Sequence, residues 1–122
     1  NIQGKRLVLI DDSIVRGTTS RRIVRMLKEA GAKEVHLRIC SPVIKHPCHL
    51  GIDMQSYNQL IGANKTEKEI CEYIGADSLK YLTIDQLTKS CKAAKIDFCL
   101  GCFDGKYPYN PECDESGKFK FE

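Results

Sequence analysis

The sequence predicts an α/β fold in which parallel strands carry flanking helices and an irregular, cysteine-containing tail follows. Three observations lead there. Leu7 to Ile10 is an unbroken apolar run, the pattern of a parallel strand covered on both faces. Ile23, Val24, Leu27 and Ala30 then recur at helical spacing, with Arg21, Arg22, Arg25 and Lys28 between them as a solvated face. Glu34 to Cys40 alternates Val35, Leu37 and Ile39 with Glu34, His36 and Arg38, which is a strand pattern. Strand, helix and strand within residues 7–40 make one βαβ unit.

Each element has its own signals. The first helix is expected from about Thr18 to Ala30, stopped by Gly31 as a C-terminal cap. The clean alternation of the second strand predicts exposure on one face, near a sheet edge or under a partner domain. Ser41 to Gly51 is irregular, because Pro42 and Pro47 break it. Thr66-Glu-Lys-Glu69 has the form of a capping box, and the helix it starts should bury Ile70 and Ile74 and end at Gly75. Leu79 to Leu82 reads as a short strand. Thr83-Ile-Asp-Gln86 is a second capping box, opening a helix through Leu87 toward Ala94. From Lys95 onward cysteines, aromatics, glycines and prolines replace periodicity. This divides the chain into residues 1–94, the α/β part, and 95–122, a tail expected to wrap over it.

Composition narrows the function classes. The chain has 122 residues, enough for one domain or a piece of a larger one. A formal charge of +3 is too small to argue for nucleic acid. No apolar run approaches the roughly 20 residues that span a bilayer, and no secretion signal opens the chain. A cytoplasmic location follows as the expectation. Asn1 stands only a few residues ahead of a strand expected to be buried, which points to a fragment of a longer polypeptide. Seven cysteines are an odd count, which favours reduced thiols or metal ligation over a disulfide framework.

The chemistry gathers where the first strand ends. Asp11 and Asp12 follow it directly, then a turn with Gly17 leads into Thr18, Thr19 and Ser20 at the start of the helical pattern. In open α/β sheets, ligands lie beyond the carboxyl ends of strands. A helix N-terminus there offers N–H groups and a positive dipole end to a phosphate. Two carboxylates beside it can hold ribose hydroxyls or a hydrated Mg²⁺. The pattern is that of a sugar-phosphate site. An isolated Asp-Asp or Gly-Thr-Thr would be a plain N-capped turn; the continuous stretch in strand-to-helix context says more.

Ile10-Asp-Asp-Ser-Ile-Val-Arg-Gly-Thr-Thr19 resembles the phosphoribosyl-pyrophosphate (PRPP) loop of the phosphoribosyltransferases, and in this version that of the glutamine PRPP amidotransferases. Glu29 to His36, His46-Pro-Cys48, Gly51-Ile-Asp53, Glu69, Ile74 to Asp77 and Cys99 to Pro108 continue the resemblance in the same order. It covers most of residues 5–108 and matches only the C-terminal part of such enzymes. It implies part of a type I phosphoribosyltransferase core.

Cys99-x-x-Cys102 can converge on one metal or cluster. A redox dithiol would normally open a helix after a strand. Zinc needs two further ligands, for which His46, Cys48 and His49 are suited, and a [4Fe–4S] cluster needs four thiolates. Sequence chemistry alone leaves zinc and iron–sulfur even. The resemblance to the iron–sulfur class of these amidotransferases implies Cys48, Cys99 and Cys102 as cluster ligands, with the fourth outside this chain. The cluster would be structural, locking the tail. Cys40, Cys71, Cys91 and Cys113 have no matching role and read as buried or incidental thiols.

By the same resemblance, ammonia attacks C1 of PRPP and displaces pyrophosphate. Asp11 and Asp12 would bind ribose hydroxyls and Mg²⁺ and steady the cationic ring. Ser13, Val15, Arg16, Gly17, Thr18, Thr19 and Ser20 would surround the 5′-phosphate. Many phosphoribosyltransferases have small residues where Val15 and Arg16 stand, so Arg16 adds charge there, reaches another element or forms a surface ion pair. The implied partners are PRPP, the absent N-terminal glutaminase and phosphoribosyltransferase segments, and further copies in a homo-oligomer. Neither nucleic acid nor membrane is expected. The rivals are another PRPP-dependent transferase, a non-catalytic PRPP-sensing protein and a metal-stapled interaction module.

Overall fold

The structure is a computed structural model that describes residues 1–50, 52, 56–91 and 97–108. Three parallel strands form its sheet: β1 (Arg6–Asp11), β2 (Glu34–Ile39) and β3 (Ser78–Tyr81), in the order β1-β2-β3. Helix α1 (Thr18–Glu29) makes the first crossover. A 3-10 turn (Tyr57–Gln59), the one-turn helix α2 (Ile61–Asn64) and α3 (Glu67–Ile74) lie between β2 and β3. Helix α4 (Ile84–Ser90) follows the sheet, and a last single turn, α5 (Gly101–Asp104), lies in the tail.

Register places Leu7 and Leu9 beside Val35 and Leu37, with Leu79 next in line. This face meets α1 and α3, burying Val24, Val35, Leu37, Ile70 and Ile74 almost completely. The α1 crossover ends as expected, with Ala30 as C-cap and Gly31 beyond it at φ +92°. Both capping boxes form. The Thr66 hydroxyl accepts from Glu69 N–H while the Glu69 carboxylate accepts from Thr66 N–H, and Thr83 with Gln86 repeats the arrangement. α4 ends at Ser90 with Cys91 as cap; residues 92–96, where its extension toward Ala94 and the boundary of the tail were expected, lie outside the described residues, as does Cys113.

Two expectations about the sheet need correcting. β1 is not covered on both faces: Val8 is 64% and Ile10 68% exposed. An apolar run shows that both faces tolerate burial, not what lies over each. β2 is not near an edge but central, between β1 and β3. Its polar side chains arise instead because the second face of the sheet is a hydrogen-bonded polar array. There Glu34 accepts from Arg6 at 2.6 Å and pairs with His36 Nε2 at 2.9 Å, while His36 Nδ1 meets Ser78 Oγ at 2.8 Å. His36 first, then Arg6, holds the Glu34 carboxyl below its ordinary range. The tail is also less irregular than its composition predicts, because α5 turns around Cys102.

One carboxylate joins the helical layer to the sheet. Asp77 Oδ2 accepts from Lys28 Nζ on α1 at 2.5 Å and from Val35 N–H on β2 at 2.6 Å. The Lys28 bond, with the Val35 bond second, pulls the Asp77 pKa below its ordinary value. A carboxylate with a lowered folded pKa adds stability above its unfolded pKa and loses it as pH falls through the folded value. The contribution should therefore be complete above about pH 5 and fade below about pH 4. Asp77→Ala should cost about 1–2 kcal/mol in urea unfolding at pH 7 and much less at pH 3; an equal loss at both pH values would refute the charge-based account.

Candidate phosphate-binding site

β1 carries the chain to Asp11, whose carbonyl accepts from Cys40 N–H at 2.9 Å, so the strand end is fixed to the end of β2. The carboxylates organise each other locally. Asp12 N–H donates to Asp11 Oδ1 at 3.0 Å, and Ser13 Oγ–H to Asp12 Oδ1 at 2.9 Å. Ile14 then dives into the core at 3% exposure and pins the loop from beneath.

Gly17 is the N-cap of α1, at φ +76° and ψ −6°. The N-cap offers no side chain to the first turn, and that turn contains no acidic residue. An ordinary surface helix has a Ser, Thr, Asp or Asn here to satisfy its leading N–H groups. Thr18, Thr19 and Ser20 occupy the first turn itself, rather than preceding it, and Ser20 is buried at 3%. The helix end is thus an electropositive set of donors with small hydroxyl side chains around it, suited to an anion.

Asp11 through Ser20 line a cavity of about 700 Å³, together with Ser41, Ile44, Ile52, Cys102 and Phe103. The structure therefore brings all the predicted loop residues, Asp11, Asp12, Ser13, Val15, Arg16, Gly17, Thr18, Thr19 and Ser20, to one cavity. Volume does not single it out, since a hollow of about 710 Å³ lies by His46, Tyr57 and Lys65. The carboxylate pair sharing it with a helix end that has no side-chain cap does. Arg16 also has a definite partner: its Nη2 donates to Gln59 Oε1 at 2.8 Å. Of the readings open for Arg16, reaching toward another element is the one this bond matches.

Of the cysteine segments, Cys102 with its neighbour Phe103 lines the cavity. Lys45 and His46 N–H both donate to the Cys102 carbonyl, at 2.9 and 3.1 Å, and Tyr107 Oη–H donates to the Pro47 carbonyl at 2.6 Å. Cys48, Cys102, Phe103 and Val15 pack around buried Ile44 and Leu60. Burial first, and then the neighbouring Cys48 and Cys99, push the Cys102 thiol above its ordinary pKa. Cys48, Cys99 and Cys102 offer three of the four thiolates that an iron–sulfur cluster takes. Among the described residues, however, no group of three or more His, Cys, Asp or Glu is drawn tightly enough to hold a metal ion. Cys40 is exposed; Cys71 donates to the Ala76 carbonyl, and burial raises its pKa. Cys91 is half-buried as the C-cap of α4.

Sequence reasoning missed Phe103 and Gln59, because the partners of each lie more than forty positions away and no local pattern marks them. It also missed how tightly Gly17 is enclosed. A Cβ there would stand 3.0 Å from Ile61 Cδ1 and 3.3 Å from Tyr73 Cε1, in a left-handed conformation that L-residues pay to adopt. Gly17→Ala should lower stability by about 1–3 kcal/mol in urea unfolding; an unchanged midpoint would show that the loop shifts freely.

No protein-family model matches the chain. Similar proteins are nevertheless plain. The amidophosphoribosyltransferase of Methanocaldococcus jannaschii is 58% identical over 107 residues, which are 88% of this chain and 22% of that protein. That of Archaeoglobus fulgidus is 53% identical over 117 residues, 94% of this chain and 26% of that one. The solved glutamine PRPP amidotransferase from Bacillus subtilis, complexed with ADP and GMP, superposes with a TM-score of 0.80 at 53% identity, over 88% of this chain and 24% of that one. The chain thus spans about a quarter of the length of the relatives it matches.

Proposed function

We propose, for a chain homologous over most of its length to the C-terminal portion of the amidophosphoribosyltransferases, that it supplies the PRPP-binding loop of such an enzyme. The observation that carries the reading is that the N-terminus of α1, with no side-chain cap, lines one cavity together with Asp11 and Asp12. The full-length enzyme would transfer ammonia, released from glutamine, to C1 of PRPP and give 5-phosphoribosylamine, the first committed step of purine synthesis. No helix among the described residues is long and apolar enough to cross a membrane. The free thiols among the described residues fit the reducing conditions of cytoplasm.

The chain's own groups divide the work. The leading N–H groups of α1, with the Ser13, Thr18, Thr19 and Ser20 hydroxyls, Val15, Gly17 and the Arg16 backbone, surround the 5′-phosphate and offset its charge through backbone and hydroxyl dipoles. Asp11 and Asp12 bind the ribose hydroxyls. As C1 loses its oxygen bond the ring gains positive charge, and the two carboxylates stabilise it from fixed positions. Mg²⁺ fits this pair, because it takes one or two carboxylates and completes its shell with substrate phosphates and water. Bound there, it supplies charge neutralisation of the pyrophosphate leaving group.

Cys48, Cys99 and Cys102 would hold a [4Fe–4S] cluster with a fourth thiolate from outside this chain. Its role in this proposal is structural, fastening α5 to the segment at Cys48. The glutaminase and remaining phosphoribosyltransferase segments, and a homo-oligomeric state, belong to the full-length polypeptide.

Three measurements test the proposal. Asp11→Asn and Asp12→Asn in the full-length polypeptide should each lower kcat/KM for PRPP by about 10²-fold or more; a loss below threefold would refute their role. The isolated region titrated calorimetrically with PRPP and Mg²⁺ should bind more weakly than micromolar, since the loops that would grip pyrophosphate lie elsewhere, and micromolar affinity would contradict this. Anaerobically purified full-length protein should carry about four irons with matching sulfide; zinc would favour a metal-stapled module, and no metal a simpler transferase.

A further inference from the structure

The loop does not hold its own shape. Three consecutive residues outside it, Gln59, Leu60 and Ile61, engage three consecutive residues within it. Ile61 N–H donates to the Val15 carbonyl at 2.9 Å. Leu60, with 0% exposure, sits in the cluster that holds Val15. Ile61 Cδ1 stands 3.0 Å from where a Cβ on Gly17 would lie. The fourth tie is the Arg16 Nη2–Gln59 Oε1 bond at 2.8 Å. The turn that presents these groups is itself fixed, because Asn64 Nδ2 donates to both the Tyr57 and the Leu60 carbonyls at 2.8 Å.

We infer that Gln59 is a positioning residue for PRPP binding: by accepting from Arg16 it ties that guanidinium to the 3-10 turn at Tyr57–Gln59 and fixes the backbone just before Gly17. The inference rests on the sugar-phosphate reading of the loop. Arg16 is the one cation in the stretch from Asp11 to Ser20 and would be the obvious phosphate ligand. Its side chain is instead spent on a neutral amide 43 positions away. The phosphate is left to the rigid N–H groups and hydroxyls of the α1 terminus. These bind an anion well only if Val15, Arg16 and Gly17 hold the turn still. A flexible Arg16 would give attraction without geometry; a tethered one gives geometry.

The test is a double-variant cycle in the full-length polypeptide, reading KM for PRPP, kcat, calorimetric PRPP affinity and thermal midpoint. Gln59→Ala should raise KM about three- to tenfold, leave kcat within twofold and barely move the midpoint, since both partners are exposed. Gln59→Glu keeps an acceptor and should restore KM to within about twofold. Arg16→Ala should match Gln59→Ala, and the double variant should add no more than about a further twofold, because both remove one interaction. The inference is overturned by an unchanged KM in Gln59→Ala, by a KM change that only follows lost stability, or by an Arg16→Ala defect more than tenfold beyond that of Gln59→Ala, which would put Arg16 on the phosphate directly. A wild-type polypeptide that fails to bind PRPP would instead bring down the reading of the site, and the positioning role with it.

Discussion

Much of this structure depends on a glycine with no room beside it. Gly17 must turn left-handed to bring the chain from the end of β1 into α1, and Ile61 and Tyr73 close on the space a side chain would need. The turn decides where α1 starts, and so where its unpaired N–H groups lie relative to Asp11 and Asp12. Because Ile61 begins α2 and Tyr73 sits on α3, the helices that complete the core also form the mould of the loop. Stability and site geometry are therefore carried by the same contacts.

The division of charge around the cavity follows from this. A Ser or Asp cap would have strengthened α1 by about 1 kcal/mol, yet the N-cap is bare and the first turn carries no acid. The donors are left for a ligand. The acids stand instead on β1 and just after it, each tied by one short local hydrogen bond. Positive backbone dipoles on one side and two carboxylates on the other suit a molecule that is anionic at one end and becomes cationic in its middle.

Much of this was legible from residue order. The βαβ unit, both capping boxes, the end of α3 at Gly75 and the loop between Asp11 and Ser20 are patterns of consecutive residues, read without knowing any distant partner. What was not legible is long-range. The run Leu7 to Ile10 would read the same with one face covered or two, so the exposure of Val8 and Ile10 could not be seen. The polar residues of β2 looked like an edge because alternation does not distinguish water from a paired array of Arg6, Glu34, His36 and Ser78. The turn at Tyr57, α2 and α5 are too short to leave a period. Gln59 and Phe103 reach the loop only through the fold.

The outer margin of β1 has a practical meaning. Among the described residues no strand pairs with that side, and the exposed Val8 and Ile10 stand beside its main-chain N–H and C=O groups. Parallel sheets normally keep such a border under cover, because an apolar strand with vacant pairing groups is a template for any extended chain that meets it. Material containing only this region should therefore be judged by its behaviour on dilution. Self-association through β1 would bury the very strand that sets Asp11 in place, so a silent binding assay on concentrated protein would report on that stickiness before it reported on the stretch from Asp11 to Ser20.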